Sequence, residues 1–81
     1  MNIDSLRNAI YIEERLGKNW FNIDRFIKKT AIKDRDSAAV IIGDLVLRGA
    51  LLSKVSELKK NKGEYLYKIN GDKVMELGKV S

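Results

Sequence analysis

The chain has 81 residues, enough for one domain whose small core needs no staples. It holds neither cysteine nor histidine, which excludes disulfides, thiolate chemistry, His-containing zinc sites and Ser-His or Cys-His nucleophile pairs. Its 16 Lys and Arg oppose 11 Asp and Glu, a formal net charge of +5 that favours polyanionic partners.

The opening stretch, MNIDSLRNAIYIEERL, carries acids among its apolar residues and does not read as a secretory signal. Within it, Ile3, Leu6, Ala9, Ile10 and Leu16 fall near one face of a helix, with Arg7, Asn8, Glu14 and Arg15 opposite. This predicts a first helix over about residues 3–16, capped by Asn2 or Asp4 and ended by Gly17. Trp20 and Phe21 follow as aromatic anchors between that helix and a sheet. Asn22 is the expected N-cap of a short second helix near residues 23–30, with Asp24 in its first turn. Ile23, Phe26 and Ile27 make its apolar stripe, and Arg25, Lys28 and Lys29 point away from it.

Thr30-Ala31-Ile32-Lys33 reads as a turn, with Ile32 the apolar plug between helices that meet at a steep angle. Asp34 or Asp36 caps a third helix, which runs to about Arg48 and stops at Gly49. The longest apolar run, residues 38–43, lies inside it and is far too short to span a bilayer. Residues 50–55 read as a strand and the lysine-rich residues 56–63 as an exposed hairpin loop. Residues 64–69 form a second strand, with Tyr65, Tyr67 and Ile69 on one face and Leu66 and Lys68 on the other. Tyrosines at this spacing cover a small core with their hydroxyls at the water; an aromatic and basic strand also suits stacking on unpaired bases. Asn70-Gly71-Asp72 reads as a turn, followed by one or two helical turns over residues 73–77. Three helices on a small antiparallel ribbon make an α+β domain.

Phe21-Asn22-Ile23-Asp24 resembles the segment that leads into the second helix of winged helix-turn-helix proteins. Leu45-Val46-Leu47-Arg48-Gly49-Ala50-Leu51-Leu52 resembles the end of their third helix, where two apolar residues precede a glycine that opens the first wing strand. The likeness spans about residues 3–70. It implies a single winged helix-turn-helix domain over residues 1–81 and a non-enzymatic role, most often binding to double-stranded DNA with the third helix in the major groove. Winged helices also serve as protein-interaction modules. The expected identity is a small transcriptional regulator or a viral or plasmid accessory factor, cytoplasmic, nucleoid-associated or virion-associated, with no membrane contact. So small a scaffold argues against a catalytic pocket. No phosphate-binding glycine loop, calcium loop or cysteine metal site occurs, so no cofactor or metal is expected. Asp34-Arg35-Asp36 reads as helix capping.

Two basic groups are the candidate DNA-binding residues. Lys28, Lys29, Lys33 and Arg35 cluster around the turn before the third helix, where Ser37 adds a hydroxyl. Lys59, Lys60 and Lys62 lie in the wing, with Lys54 and Lys68 on its strands. Together they are expected to grip phosphates, giving salt-dependent and largely sequence-tolerant binding. Lysines at a hairpin tip also serve solubility and protect strand edges.

The third helix turns Ala38, Ile41, Ile42, Leu45, Val46 and Gly49 inward. Asp36, Ala39, Val40, Gly43, Asp44 and Leu47 are left outside, a poor base-reading face without Arg, Lys, Asn or Gln. Two readings stand. Either this face meets DNA with weak discrimination, or the helix is apolar nearly all round because a second copy or a protein partner covers Val40, Gly43 and Leu47. The first makes a regulator, expected to dimerise over two half-sites; the second makes an adaptor or inhibitor.

Overall fold

Local capping sets the limits of the helices. The computed structural model describes residues 3–57 and 63–78. Among them the elements run α1 (Ile3–Leu16), α2 (Ile23–Lys29), α3 (Arg35–Leu47), β1 (Leu51–Val55), β2 (Tyr65–Ile69) and α4 (Gly71–Gly78). Gly17 ends α1 at φ 69° and returns its N–H to the Glu13 carbonyl at 2.9 Å. The Asn22 side chain accepts from the Arg25 N–H at 2.8 Å at the start of α2, and Asp34 accepts from the Ser37 N–H at 3.1 Å at the start of α3. Each satisfies a donor that the first helical turn leaves unpaired.

The end of α3 is closed by its glycine. Gly49 takes φ 80°, its N–H reaches the Val46 carbonyl at 3.0 Å, and the Ala50 N–H reaches Leu45 at 2.9 Å. This pair of bonds serves two of the last carbonyls and turns the chain into β1. Asn70 then fastens the far end of the ribbon to the same corner. Its N–H donates to the Ala50 carbonyl at 2.9 Å and its side-chain amide to the Gly49 carbonyl at 3.1 Å. The turn expected at Asn70-Gly71-Asp72 is instead the beginning of α4, because Asn70 already accepts the first helical bond, from Val74 at 3.0 Å.

β1 and β2 pair antiparallel from Leu51↔Ile69 to Val55↔Tyr65. On the other edge of β2, Phe21 and Tyr67 exchange two backbone hydrogen bonds of 2.8 Å each. The segment between α1 and α2 is thereby laid beside the ribbon, and the Phe21 side chain is driven into the core. Its ring packs 6.3 Å from that of Phe26 and 5.9 Å from that of Tyr67. Ile12, Leu45 and Leu51 complete the most deeply buried set.

The buried stripe of α1 is Ser5, Ala9, Ile12 and Leu16, spaced four, three and four. Ile10, expected on the inner face, is 43% exposed, because the stripe is in register with Ile12. Trp20 also departs from expectation. Only Phe21 anchors the core; Trp20 stays half-buried, because neighbouring residues of an extended segment point to opposite faces.

Candidate functional site

The turn between α2 and α3 is pinned from three directions. Thr30 donates its hydroxyl to the Phe26 carbonyl at 2.7 Å and accepts from the Ile32 N–H at 3.2 Å. The Ala31 N–H donates to the Tyr11 hydroxyl of α1 at 2.7 Å. Ile32 packs against the core as an apolar plug. A rigid corner of this kind fixes where its charged side chains emerge.

Those charges are not equivalent. Lys28 and Lys29 are exposed at the carboxyl end of α2 and form no ion pair among the described residues. The Lys33 ammonium donates to the Ile27 carbonyl at 2.8 Å, closing the end of α2. The Arg35 guanidinium is paired with the Asp24 carboxylate. Ser37 gives its hydroxyl to Asp34 at 2.7 Å, so it serves the cap of α3. That hydroxyl, with the Ser37 N–H, holds the Asp34 carboxyl below its ordinary value. Of the five residues expected here, two are uncommitted cations and three are held by neighbours. The holds are on the surface, where an ion pair contributes only about 0–1 kcal/mol, so an arriving phosphate competes with them. Lys59, Lys60 and Lys62 lie outside the described residues.

The outward face of α3 is apolar. Val40 is 71% exposed and Leu47 is 90% exposed, and the position where a Gly43 side chain would stand is open space. Beside Gly43 runs a groove of about 250 Å³, floored by Ile42 and walled by Ala39 and Val46 on one side and Ser53, Tyr65 and Tyr67 on the other. Asp44, expected on the outer face, is turned toward α1. It accepts from the Ser5 hydroxyl at 2.8 Å and from the Arg48 Nε at 2.9 Å, and the Ser5 bond first, then Arg48, keeps its carboxyl below the ordinary range. The face that remains is Asp36, Ala39, Val40, Gly43 and Leu47, still without a hydrogen-bond donor to a base edge.

The tyrosines of β2 line this groove. Tyr65 is 59% exposed and Tyr67 is half-buried, and burial, then the neighbouring Tyr65, raises the Tyr67 hydroxyl above its ordinary pKa. Lys54 and Lys68 project from the opposite face of the ribbon. They belong to neither wall of the groove and converge on Trp20, with their Nζ atoms 4.1 Å and 5.7 Å from its ring centroid. Sequence reasoning missed this cluster. Strand alternation puts Lys54 and Lys68 on one face, but Trp20 joins them only through the pairing of Phe21 with Tyr67, which no local pattern encodes.

Among the described residues, no group of three or more acidic side chains is arranged to hold a metal ion, and no helix is long and apolar enough to cross a membrane. Compared with protein-family models, with curated proteins and with solved structures, the chain finds no match in any of the three.

Proposed function

We propose that this domain is a winged helix-turn-helix that binds duplex DNA without catalysis, as a small regulator or accessory factor. The order α1, α2, α3, β1, β2 supports the fold, with Phe21 in the place of a short strand paired to the ribbon. The observation that carries the functional reading is the pair of uncommitted ammoniums, Lys28 and Lys29, beside the pinned α2–α3 corner. They hold DNA through its phosphates, joined by Lys33 and Arg35 when these exchange their neighbours for phosphate, and by Lys59, Lys60 and Lys62, which follow β1 in the sequence. The outward face of α3 supplies no base-reading donor, so affinity comes from counterion release and is nearly indifferent to sequence.

Fluorescence anisotropy of a labelled random duplex tests this. Binding at low salt should weaken steeply toward physiological salt, with a log–log slope of about −0.9 per phosphate contacted. Lys28→Gln with Lys29→Gln should lower that slope by about 2. No binding at low salt sinks the reading.

The 71% and 90% exposure of Val40 and Leu47 favours a second reading, in which the face around Gly43 docks a protein partner or a second copy. Sedimentation of the wild-type chain against Val40→Asp separates the two. A dimer that Val40→Asp dissociates supports the interface, and a monomer in both cases removes the second copy from consideration. Both side chains are exposed, so the substitution should change folding stability by less than about 0.5 kcal/mol.

A further inference from the structure

The ribbon face turned away from α3 carries its own arrangement. Leu52 and Lys54 of β1, and Leu66 and Lys68 of β2, project to the side opposite the buried Leu51 and Ile69. Since Phe21 pairs with Tyr67, its neighbour Trp20 falls beside Lys68 on that outer side. The result is one indole with two ammoniums drawn to it, Lys54 at 4.1 Å and Lys68 at 5.7 Å from the ring centroid. Neither lysine has a carboxylate partner among the described residues. Glu64, just before β2, accepts with its carboxylate from the Asn22 side-chain amide at 3.0 Å. Leu52, 45% exposed, extends the surface with an apolar flank.

We propose that this face binds single-stranded DNA, with an unpaired base stacked on Trp20 and the adjoining phosphates taken by Lys54 and Lys68. Two like charges gathered at one ring repel each other, and an anion between them relieves that repulsion. An exposed ammonium–ring contact is weaker than the stack of a nucleobase on an indole, so the base displaces the Lys54 ammonium and leaves it beside the phosphate. An aromatic platform flanked by cations is the chemistry that single-strand binders use, and it is tolerant of sequence because every base has a π-face. A duplex keeps those faces stacked inside the helix and cannot offer them. The side chains of Trp20, Leu52, Lys54, Leu66 and Lys68 include no acceptor for a ribose 2′-hydroxyl, and the proposed stack and phosphate contacts occupy the Trp20 ring and both ammoniums, so nothing in this arrangement is set aside for a ribose. This site does not rest on the duplex reading, which uses other side chains.

Trp20 is the chain's one tryptophan, so its emission reports the site directly. Titration with a short oligothymidylate should quench it saturably. Lys54→Gln with Lys68→Gln should weaken binding about tenfold or more. Arg7→Gln with Arg15→Gln, on exposed residues of α1 that belong to neither proposed site, also removes two positive charges and should weaken it by less than about threefold. Trp20→Leu should abolish tight binding of a labelled strand in anisotropy, and Trp20→Phe should retain most of it, with circular dichroism confirming the fold of each. The proposal is overturned by unchanged emission or by equal losses in the Lys54/Lys68 and Arg7/Arg15 double variants. An abasic strand that binds as tightly, a duplex that quenches as strongly, or an RNA strand that binds more tightly than DNA overturns it too.

Discussion

Ser5 donates a 2.8 Å hydrogen bond to Asp44 and so ties the first turn of α1 to the last turns of α3, thirty-nine residues along the chain. Ser5 is only 2% exposed and sits on the same stripe as Ala9, Ile12 and Leu16. A hydroxyl buried among apolar neighbours needs an acceptor, and Asp44 supplies one.

Ser5→Ala should therefore destabilise the domain by about 1 kcal/mol, read as a lower midpoint in urea. It should also change the acid response. The Ser5 bond is the largest cause holding the Asp44 carboxyl below its ordinary 3.8. A carboxyl depressed in the folded state binds fewer protons there than when unfolded. Its contribution is complete above 3.8 and is lost as the pH falls through the depressed value. Stability of the parent chain should drop across that acid range, and the Ser5→Ala variant should drop less. An identical acid profile for the two would show that the bond does not hold the carboxylate in solution.

Asn22 has two duties. Its side-chain oxygen caps α2 through the Arg25 N–H, and its amide donates to Glu64 at 3.0 Å, joining the start of α2 to the approach of β2. Asn22→Ala should cost about 1 kcal/mol through the lost cap alone. Asn22→Asp keeps the cap but sets a carboxylate against Glu64. It should be less stable than the parent at low ionic strength, and added salt should narrow the difference by screening the two like charges. Thermal melts at low and high salt measure the difference.

Gly43 is a helix-interior glycine that no close contact requires, since a Cβ there would meet nothing within 4 Å. Gly43→Ala should stabilise the isolated domain by about 0.5–1 kcal/mol, seen as a raised melting temperature. Gly43→Leu would instead fill the groove beside Tyr65 and Tyr67. Loss of a partner with the leucine but not with the alanine would locate the docking site there.

Much of the backbone was legible because its determinants are local. Asn22, Asp34, Gly17 and Gly49 act on residues within a turn of themselves, and they end or begin helices where the sequence places them. The antiparallel ribbon and the inward set of α3 follow from periodicity in the same way. What failed was decided across long separations. Ser5 makes a polar residue part of a core stripe only because Asp44 stands opposite, and the same contact removes Asp44 from the outer face. Arg35 and Ser37 look like free donors in the sequence, yet Asp24 and Asp34 occupy them. Asn70-Gly71-Asp72 has the composition of a turn, but Asn70 is held to Gly49 and Ala50 in a position that starts α4. Trp20 and Phe21 are indistinguishable as adjacent aromatics until Tyr67 pairs with one of them.

The bridge between Phe21 and Tyr67 also bears on how the chain assembles. Its two hydrogen bonds close a loop that contains all of α2, α3 and β1. Closing so long a loop costs entropy that only the finished core repays. The α1–α2 and α2–α3 contacts span shorter stretches of chain, so the pairing of Phe21 with Tyr67 is expected among the later contacts to form. A fragment that stopped short of Tyr65 would leave the Phe21 backbone unpaired and one side of its ring bare, so the helical part is not a separable half of this protein.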